Sequence, residues 1–166
     1  MFEKLKNKLT GTDELIRAMH QPDDNKFAVV FAHSTVVFLQ VPPGYENGVD
    51  PNVSQEEFLS HVRAGAQDIS QREQFTPFRR TRGGRKALLL FTHLDLATEF
   101  AKAYVREVNR IMPFGALSIK GTIAMRLFDG VDSVVFNALT KYEYELPPER
   151  LASLKQSLHP TTDGAR

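Results

Sequence analysis

The chain contains no cysteine and no long apolar segment, and each absence excludes a class of protein. Without cysteine there are no disulfides, no thiolate metal ligands and no cysteine nucleophile. No apolar run approaches the roughly 20 residues that a membrane-spanning helix needs, and no secretory leader pattern is present. The 166 residues, 42% hydrophobic and 25% charged, fit one ordinary globular domain. We therefore expect a soluble cytoplasmic protein.

Patterns typical of catalytic and metal sites are also missing. No pair of histidines has the His-x-x-x-His or His-Glu-x-x-His spacing of a zinc site. No Gly-x-Ser-x-Gly elbow is present, and Gly83-Gly84 lacks the Gly-Lys-Ser/Thr of a phosphate-binding loop. The five histidines are His20, His33, His61, His93 and His159. The sequence therefore predicts no catalytic residue, no metal ligand and no cofactor.

His93 has the most suggestive position of the five histidines. It follows Thr92 at a predicted junction of strand and helix, where α/β proteins tend to place ligands. A solvent-facing histidine in the first turn of a helix explains the same position. The hypothesis of a small hydrolase that uses His93 with an acidic residue therefore stays open as an alternative.

The segment that begins at Ala87 predicts the centre of the fold. Ala87 to Phe91 is an unbroken apolar run with the length of a strand buried on both faces. Apolar residues then recur at helical spacing. They are Leu94, Ala97, Phe100, Ala101, Tyr104, Val105 and Val108. Between the two, Thr92 is predicted to cap the helix and Asp95 to complete a capping box.

Further helices and strands are predicted on both sides of this segment. Helices are expected at about 23–33, from Ser54 onward with Phe58, Leu59 and Val62 buried, at 121–128 and at 147–158. Strands are expected at about 34–41, 114–119, 133–137 and 142–146, and residues 69–85 are expected to be a loop. The predicted fold is a mixed α/β (α+β) domain, with a central sheet of mostly short strands flanked by helices. It spans residues 12–158, between an N-terminal arm, 1–11, and a disordered tail, 159–166.

A cluster of positive charge lies in the expected loop. Arg79, Arg80, Arg82, Arg85 and Lys86 supply five of the 21 basic residues, which leaves 16 against 20 acidic residues and a charge of −4 elsewhere. Such a segment can hold phosphate or carboxylate oxygens, since arginine offers paired donors. Two nearby aromatic residues, Phe75 and Phe78, could stack on a base. A solvated loop explains the same residues.

The order of these elements resembles the N-terminal domain of the SseB family, named for enhanced serine sensitivity, over roughly residues 12–158. The residues that carry the resemblance are Val36-Val37-Phe38-Leu39-Gln40-Val41-Pro42 and Leu88-Leu89-Leu90-Phe91-Thr92. A later strand of the family ends in an Asn-Pro-Gly-like turn. Asn137 matches its first position, whereas Ala138 and Leu139 differ from the other two. The resemblance implies a mixed α/β module without an established enzymatic activity, and it transfers no functional residue.

The leading functional hypothesis is therefore a non-catalytic module that binds or regulates another protein. The predicted site comprises Arg79, Arg80, Arg82, Arg85, Lys86 and Phe78, and the predicted partner is a protein with an acidic surface or a second copy of the chain. Two alternatives to this hypothesis stay open: the small enzyme with a site near His93, and a binder of a phosphate-rich ligand through the same basic segment. Nucleic acid is disfavoured, because neither a basic net charge nor a known nucleic-acid motif is present.

Overall fold

The computed structural model describes residues 14–42, 44–60, 63, 77–82 and 84–158. The helices in this part of the chain are α1 (14–19), α2 (Asp24–His33), α3 (described at 55–60), α4 (Leu94–Val108), α5 (Gly121–Met125) and α6 (Pro148–Leu158), with a 3₁₀ helix at Arg126–Phe128. The strands are β1 (Thr35–Gln40), β2 (Arg79–Arg82), β3 (Arg85–Leu90), β4 (Gly115–Lys120), β5 (Ser133–Phe136) and β6 (Tyr144–Glu145). The mixed α/β class predicted from the sequence is confirmed. The predicted arm and tail lie outside the described residues.

The strands form two sheets that differ in their pairing. One sheet is the antiparallel pair of β1 and β4, and the other has the strand order β2-β3-β5-β6. In the larger sheet β3 and β5 are parallel, while the outer strands are antiparallel to their neighbours. Its centre therefore contains the one parallel pair among the described strands.

Backbone hydrogen bonds join the two sheets beyond the end of β3. The amide of Val37 donates to the carbonyl oxygen of Phe91 at 2.8 Å, and the amide of Phe91 donates back at 2.7 Å. Nearby, the amide of Phe78 donates to the carbonyl oxygen of Leu39 at 2.6 Å. Strand β1 therefore pairs both with Phe78, which precedes β2, and with Phe91, which follows β3. The two strands of the hairpin separate at this point.

Two hydrophobic cores lie on opposite faces of the sheets. The first core packs α1, α2, α5 and α6 against the strands, and its centre includes the fully buried rings of Phe31, Phe128 and Phe136. The second core lies beneath α4, whose Phe100 packs on Phe91 with ring centroids 5.3 Å apart. Residues 87–90 of β3 are covered on both faces, and they belong to the continuous apolar run that the sequence predicted as a strand.

Local sequence signals explain where several helices begin and end. The side chain of Asp23 accepts a hydrogen bond from the amide of Lys26 at 2.9 Å and so caps α2. Helix α4 ends at Asn109, which has the left-handed conformation with φ 50°. Helix α6 begins at Pro148, a residue favoured in the first turn because it has no amide hydrogen to leave unpaired.

Two sequence predictions about these elements are wrong. Residues 79–82 form strand β2, although they were expected within a loop; residues 69–76 of that loop lie outside the described part of the chain. Leu59 and Leu94 were expected on buried helical faces, but 43% and 56% of their surfaces are exposed. Leu94 is the first residue of α4, and the buried residues of that helix begin one turn later, at Ala97.

Gly121 marks the closest approach between α5 and α2. Its amide donates to the carbonyl oxygen of Ser34 at 2.9 Å, and a β-carbon at this position would lie 1.7 Å from the carbonyl oxygen of Phe31. The obstacle is backbone, which cannot move aside as a flexible side chain could. Only glycine therefore fits where the small sheet meets α2.

Changing Gly121→Ala should lower the free energy of unfolding by about 3 kcal/mol or more, because the added methyl group forces α5 away from α2. Urea denaturation of the purified variant measures the loss. The matched control is Thr122→Ala, since Thr122 is the exposed neighbour and should change stability by less than about 0.5 kcal/mol. Equal stability of the two variants would show that the close approach does not exist.

Candidate functional site

The basic segment predicted as a loop forms a β-hairpin at one edge of the larger sheet. Arg82 and Arg85 are partners in the register, so two residues connect the strands, and the second of them, Gly84, has a φ of 78°. Two-residue hairpin turns favour glycine for this reason. The Gly-Gly pair was the available sequence signal for a hairpin. It was not interpreted in that way, because the flanking arginines do not show the apolar alternation that is typical of strands.

The five basic residues do not form one continuous surface. Paired residues of antiparallel strands share a face, and the register pairs Arg80 with Ala87 and Arg79 with Leu88. Arg79 and Lys86 therefore lie on the face of the first core, whereas Arg80 and Arg85 belong to the face of α4. Arg82 lies opposite Arg85 in the register. The side chains of Arg79, Arg85 and Lys86 are exposed.

Arg80 is held by contacts within the fold. Its guanidinium forms a hydrogen-bonded ion pair with Glu107 of α4, and it lies 5.7 Å from the ring centroid of Tyr104. A cation above an aromatic face is favourable, and Arg80 is half-buried there. Arg80 therefore helps to hold α4 against the hairpin, which distinguishes it from the exposed arginines of the segment.

The structure corrects the role expected for Phe78. This ring packs edge-on against Phe114 and Tyr104, with centroids 5.1 and 5.4 Å apart, and also contacts Phe100. A side chain engaged in an aromatic cluster is not free to stack on a nucleic-acid base. Phe78 therefore belongs to the second core, and the other proposed stacking residue, Phe75, lies outside the described residues.

Strand β2 leaves its outer backbone edge open. The two-residue turn makes Arg82–Arg85 and Arg80–Ala87 the hydrogen-bonded pairs, so the amide and carbonyl groups of Arg79 and Thr81 face outward. No strand of the described chain pairs with that side of β2. An edge of this kind can accept another strand unless its charges prevent it.

A buried polar junction closes the carboxyl ends of the two parallel strands. Asn137, which is fully buried with φ 52°, accepts through Oδ1 from the amide of Thr92 at 2.9 Å and from its hydroxyl at 3.2 Å. The amide of Asn137 donates to the carbonyl oxygen of Leu90 at 2.8 Å. The structure thus brings together Thr92 and Asn137, two residues of the resemblance that are 45 positions apart.

This junction shows that the predicted capping box is wrong. Thr92 is buried, so its hydroxyl pairs with Asn137 across the strand ends. The N-cap of α4 is His93, which makes no side-chain capping bond and places its ring Nδ1 3.1 Å from the carbonyl oxygen of Thr92. His93 is half-buried, and no group of three or more candidate metal ligands occurs among the described residues.

Sequence reasoning also missed a second buried polar cluster around Arg150. The Arg150 guanidinium contacts Asp24 at 2.6 Å and donates to the carbonyl oxygens of Met19 and Gln21, while lying 5.3 Å from the ring centroid of Phe27. These bonds join α6 to the turn between α1 and α2. Since its donors are used within the fold, Arg150 has a structural role. No sequence signal indicated it, because two of its partners are backbone carbonyls and the side chain of Asp24 lies 126 positions away.

Changing Asn137→Ala should lower the free energy of unfolding by about 3 kcal/mol, because the amide and hydroxyl of Thr92 lose their buried acceptor. Asn109→Ala is the matched control, since Asn109 is exposed and has nearly the same φ. It should lose only about 1 kcal/mol, the preference of asparagine for the left-handed conformation. Chemical denaturation of both variants makes the comparison, and equal losses would show that the junction adds nothing.

Comparisons with family models, with curated proteins and with solved structures found no match for this chain. Membership of the SseB family therefore stays a prediction. None of the helices in the described ranges has the length and apolar character needed to cross a membrane.

Proposed function

We propose that this chain is a non-catalytic binding module that engages an acidic, extended segment of another protein along the outer edge of β2. The observation that carries the proposal is the open edge itself, flanked by exposed basic residues. The backbone groups of Arg79 and Thr81 face outward, and the side chains of Arg79 and Lys86 are exposed beside them. Membership of the SseB family is part of the same proposal, since the order of elements supports a module without an enzymatic role.

Two contributions to binding would combine at this edge. A partner strand gains affinity from main-chain hydrogen bonds to the edge, and its side chains determine specificity. Carboxylates of the partner would pair with the guanidinium of Arg79, which can hold two oxygens at once, and with the ammonium of Lys86. Acidic segments are therefore selected over neutral or basic ones. The charge attraction also steers the partner to the edge and fixes the register of its strand against β2.

A peptide of alternating glutamate and valine should bind the full chain, whereas the same peptide with lysine in place of glutamate should not. Fluorescence anisotropy measures both affinities. Replacing Arg79 and Lys86 by serine should weaken binding of the acidic peptide at least about tenfold, because two charge contacts are lost. Raising the salt concentration should weaken it further, since exposed charges are screened. Lys102→Ser, an exposed change on α4, is the control and should leave the affinity unchanged.

The variant Thr81→Pro separates strand pairing from simple charge attraction. Its missing amide faces outward, so the bonds of β2 to β3 are retained while one bond to the partner is lost. The proposal predicts a loss of affinity at unchanged net charge. If Thr81→Pro binds normally, or if inorganic polyphosphate binds as tightly as the acidic peptide, the edge is a general anion site and the proposal is wrong.

A further inference from the structure

A cleft of about 320 Å³ opens on the α4 face of the larger sheet. Its floor consists of small or apolar side chains from the two central strands, namely Ala87, Leu89, Ser133 and Val135. The volume is at the small end of the range found for ligand pockets. A cleft of this size with a largely apolar floor suits a small ligand.

The two walls of the cleft carry opposite charges. Arg80 and Arg85 line the side of β2 and β3, while Glu143 and Glu145 line the side of β6. The register explains this arrangement, because Arg80 lies opposite Ala87 and Glu145 lies opposite Val135 on the same face. A ligand above the floor would therefore meet donors on one side and carboxylates on the other.

The charged groups can accept a ligand at little cost to the fold. Arg85 and Glu145 approach to 3.9 Å across the cleft, and both side chains are more than half exposed. Exposed pairs at this distance contribute little to stability, so a ligand could replace the contact. Glu143 accepts from the amide of Leu139 at 2.6 Å through one oxygen, and a carboxylate has further acceptor sites.

Leu139 at the rim of the cleft has a conformation that is unfavourable for leucine. Its φ is 57°, in the left-handed region where glycine or asparagine is the usual residue. Its side chain is partly exposed and lines the cleft. Strained residues of this kind are concentrated at binding sites, where the side chain is needed despite its conformational cost.

We propose that this cleft binds a small zwitterion of the amino-acid type. Arg85 would hold its carboxylate, Glu143 and Glu145 its ammonium group, and the floor with Leu139 its apolar side chain. A simple anion would be repelled by the glutamates and a simple cation by the arginines, so both charges are required on one ligand. The site lies on the sheet face opposite to Arg79 and Lys86, and it goes beyond the function proposed above.

The test titrates the standard free L-amino acids, one at a time, into the ¹⁵N-labelled full chain and follows the backbone amide signals. Acetate and methylammonium serve as the half-ligands. We expect saturable shifts of the amides of Ala87, Val135 and Leu139 with at least one amino acid and with neither half-ligand. Glu145→Gln and Arg85→Gln should each weaken that affinity at least about tenfold, as loss of a charged hydrogen-bond partner does. No saturable shift with any amino acid, or equal binding of acetate, would overturn the proposal.

A glycine substitution tests the role of the strained leucine without the risk of unfolding. Leu139→Gly should shift the melting temperature by less than about 4 °C, because relief of the left-handed conformation offsets the lost contacts and the flexibility of glycine, yet it should weaken amino-acid binding severalfold. Asn109→Gly is the matched control, since it changes a residue of similar φ outside the cleft and should leave the affinity unchanged. If Leu139→Gly binds as well as the parent chain, the leucine is not part of a site.

Binding of the glutamate–valine peptide does not depend on Glu145 or Leu139, so failure of the amino-acid site is distinguishable from failure of the site at the β2 edge.

Discussion

The parallel pairing of β3 and β5 is the constraint on which the other parts of the structure depend. These strands run side by side from Ala87–Ser133 to Leu90–Phe136, and their alternate side chains enter the cores on both faces. At their carboxyl ends Asn137 accepts from Thr92 and donates to Leu90, so the last backbone groups of the pair are not left unpaired in the interior. Helix α6 contacts β5 directly, and α4 and α5 contact β1.

This central pair also determines where function can lie. The outer strands, β2 and β6, are fixed by their pairing to it, and they carry charges of opposite sign: arginines on β2 and Glu145 on β6. On the α4 face, those charges meet above the small side chains of the central strands and form the cleft. At the outer side of β2, the same arrangement leaves an open backbone edge beside basic residues. One sheet therefore carries both of the surfaces that we propose for recognition.

The sequence predicted the parts of the fold whose burial is continuous or periodic. Residues 87–90 of β3 are an unbroken apolar run, and α4 follows from apolar residues at helical spacing. Strand β2 could not be predicted in that way, because an edge strand with exposed arginines has no apolar alternation. Capping by Thr92 was predicted from neighbours in sequence, whereas its actual partner lies 45 residues away. The cleft depends on the register of four strands, which no local pattern specifies, so only the arginines of its walls were recognised beforehand.

Native-state hydrogen exchange tests the central role of the β3–β5 pair most directly. The amides of Leu90, Thr92 and Phe136 should exchange only when the whole molecule unfolds, so their exchange free energies should equal the free energy of global unfolding. The outward amides of Arg79 and Thr81 should exchange quickly. If the amide of Thr92 exchanges by local opening, as rapidly as the edge amides do, the junction with Asn137 does not hold the strand ends and the account is contradicted.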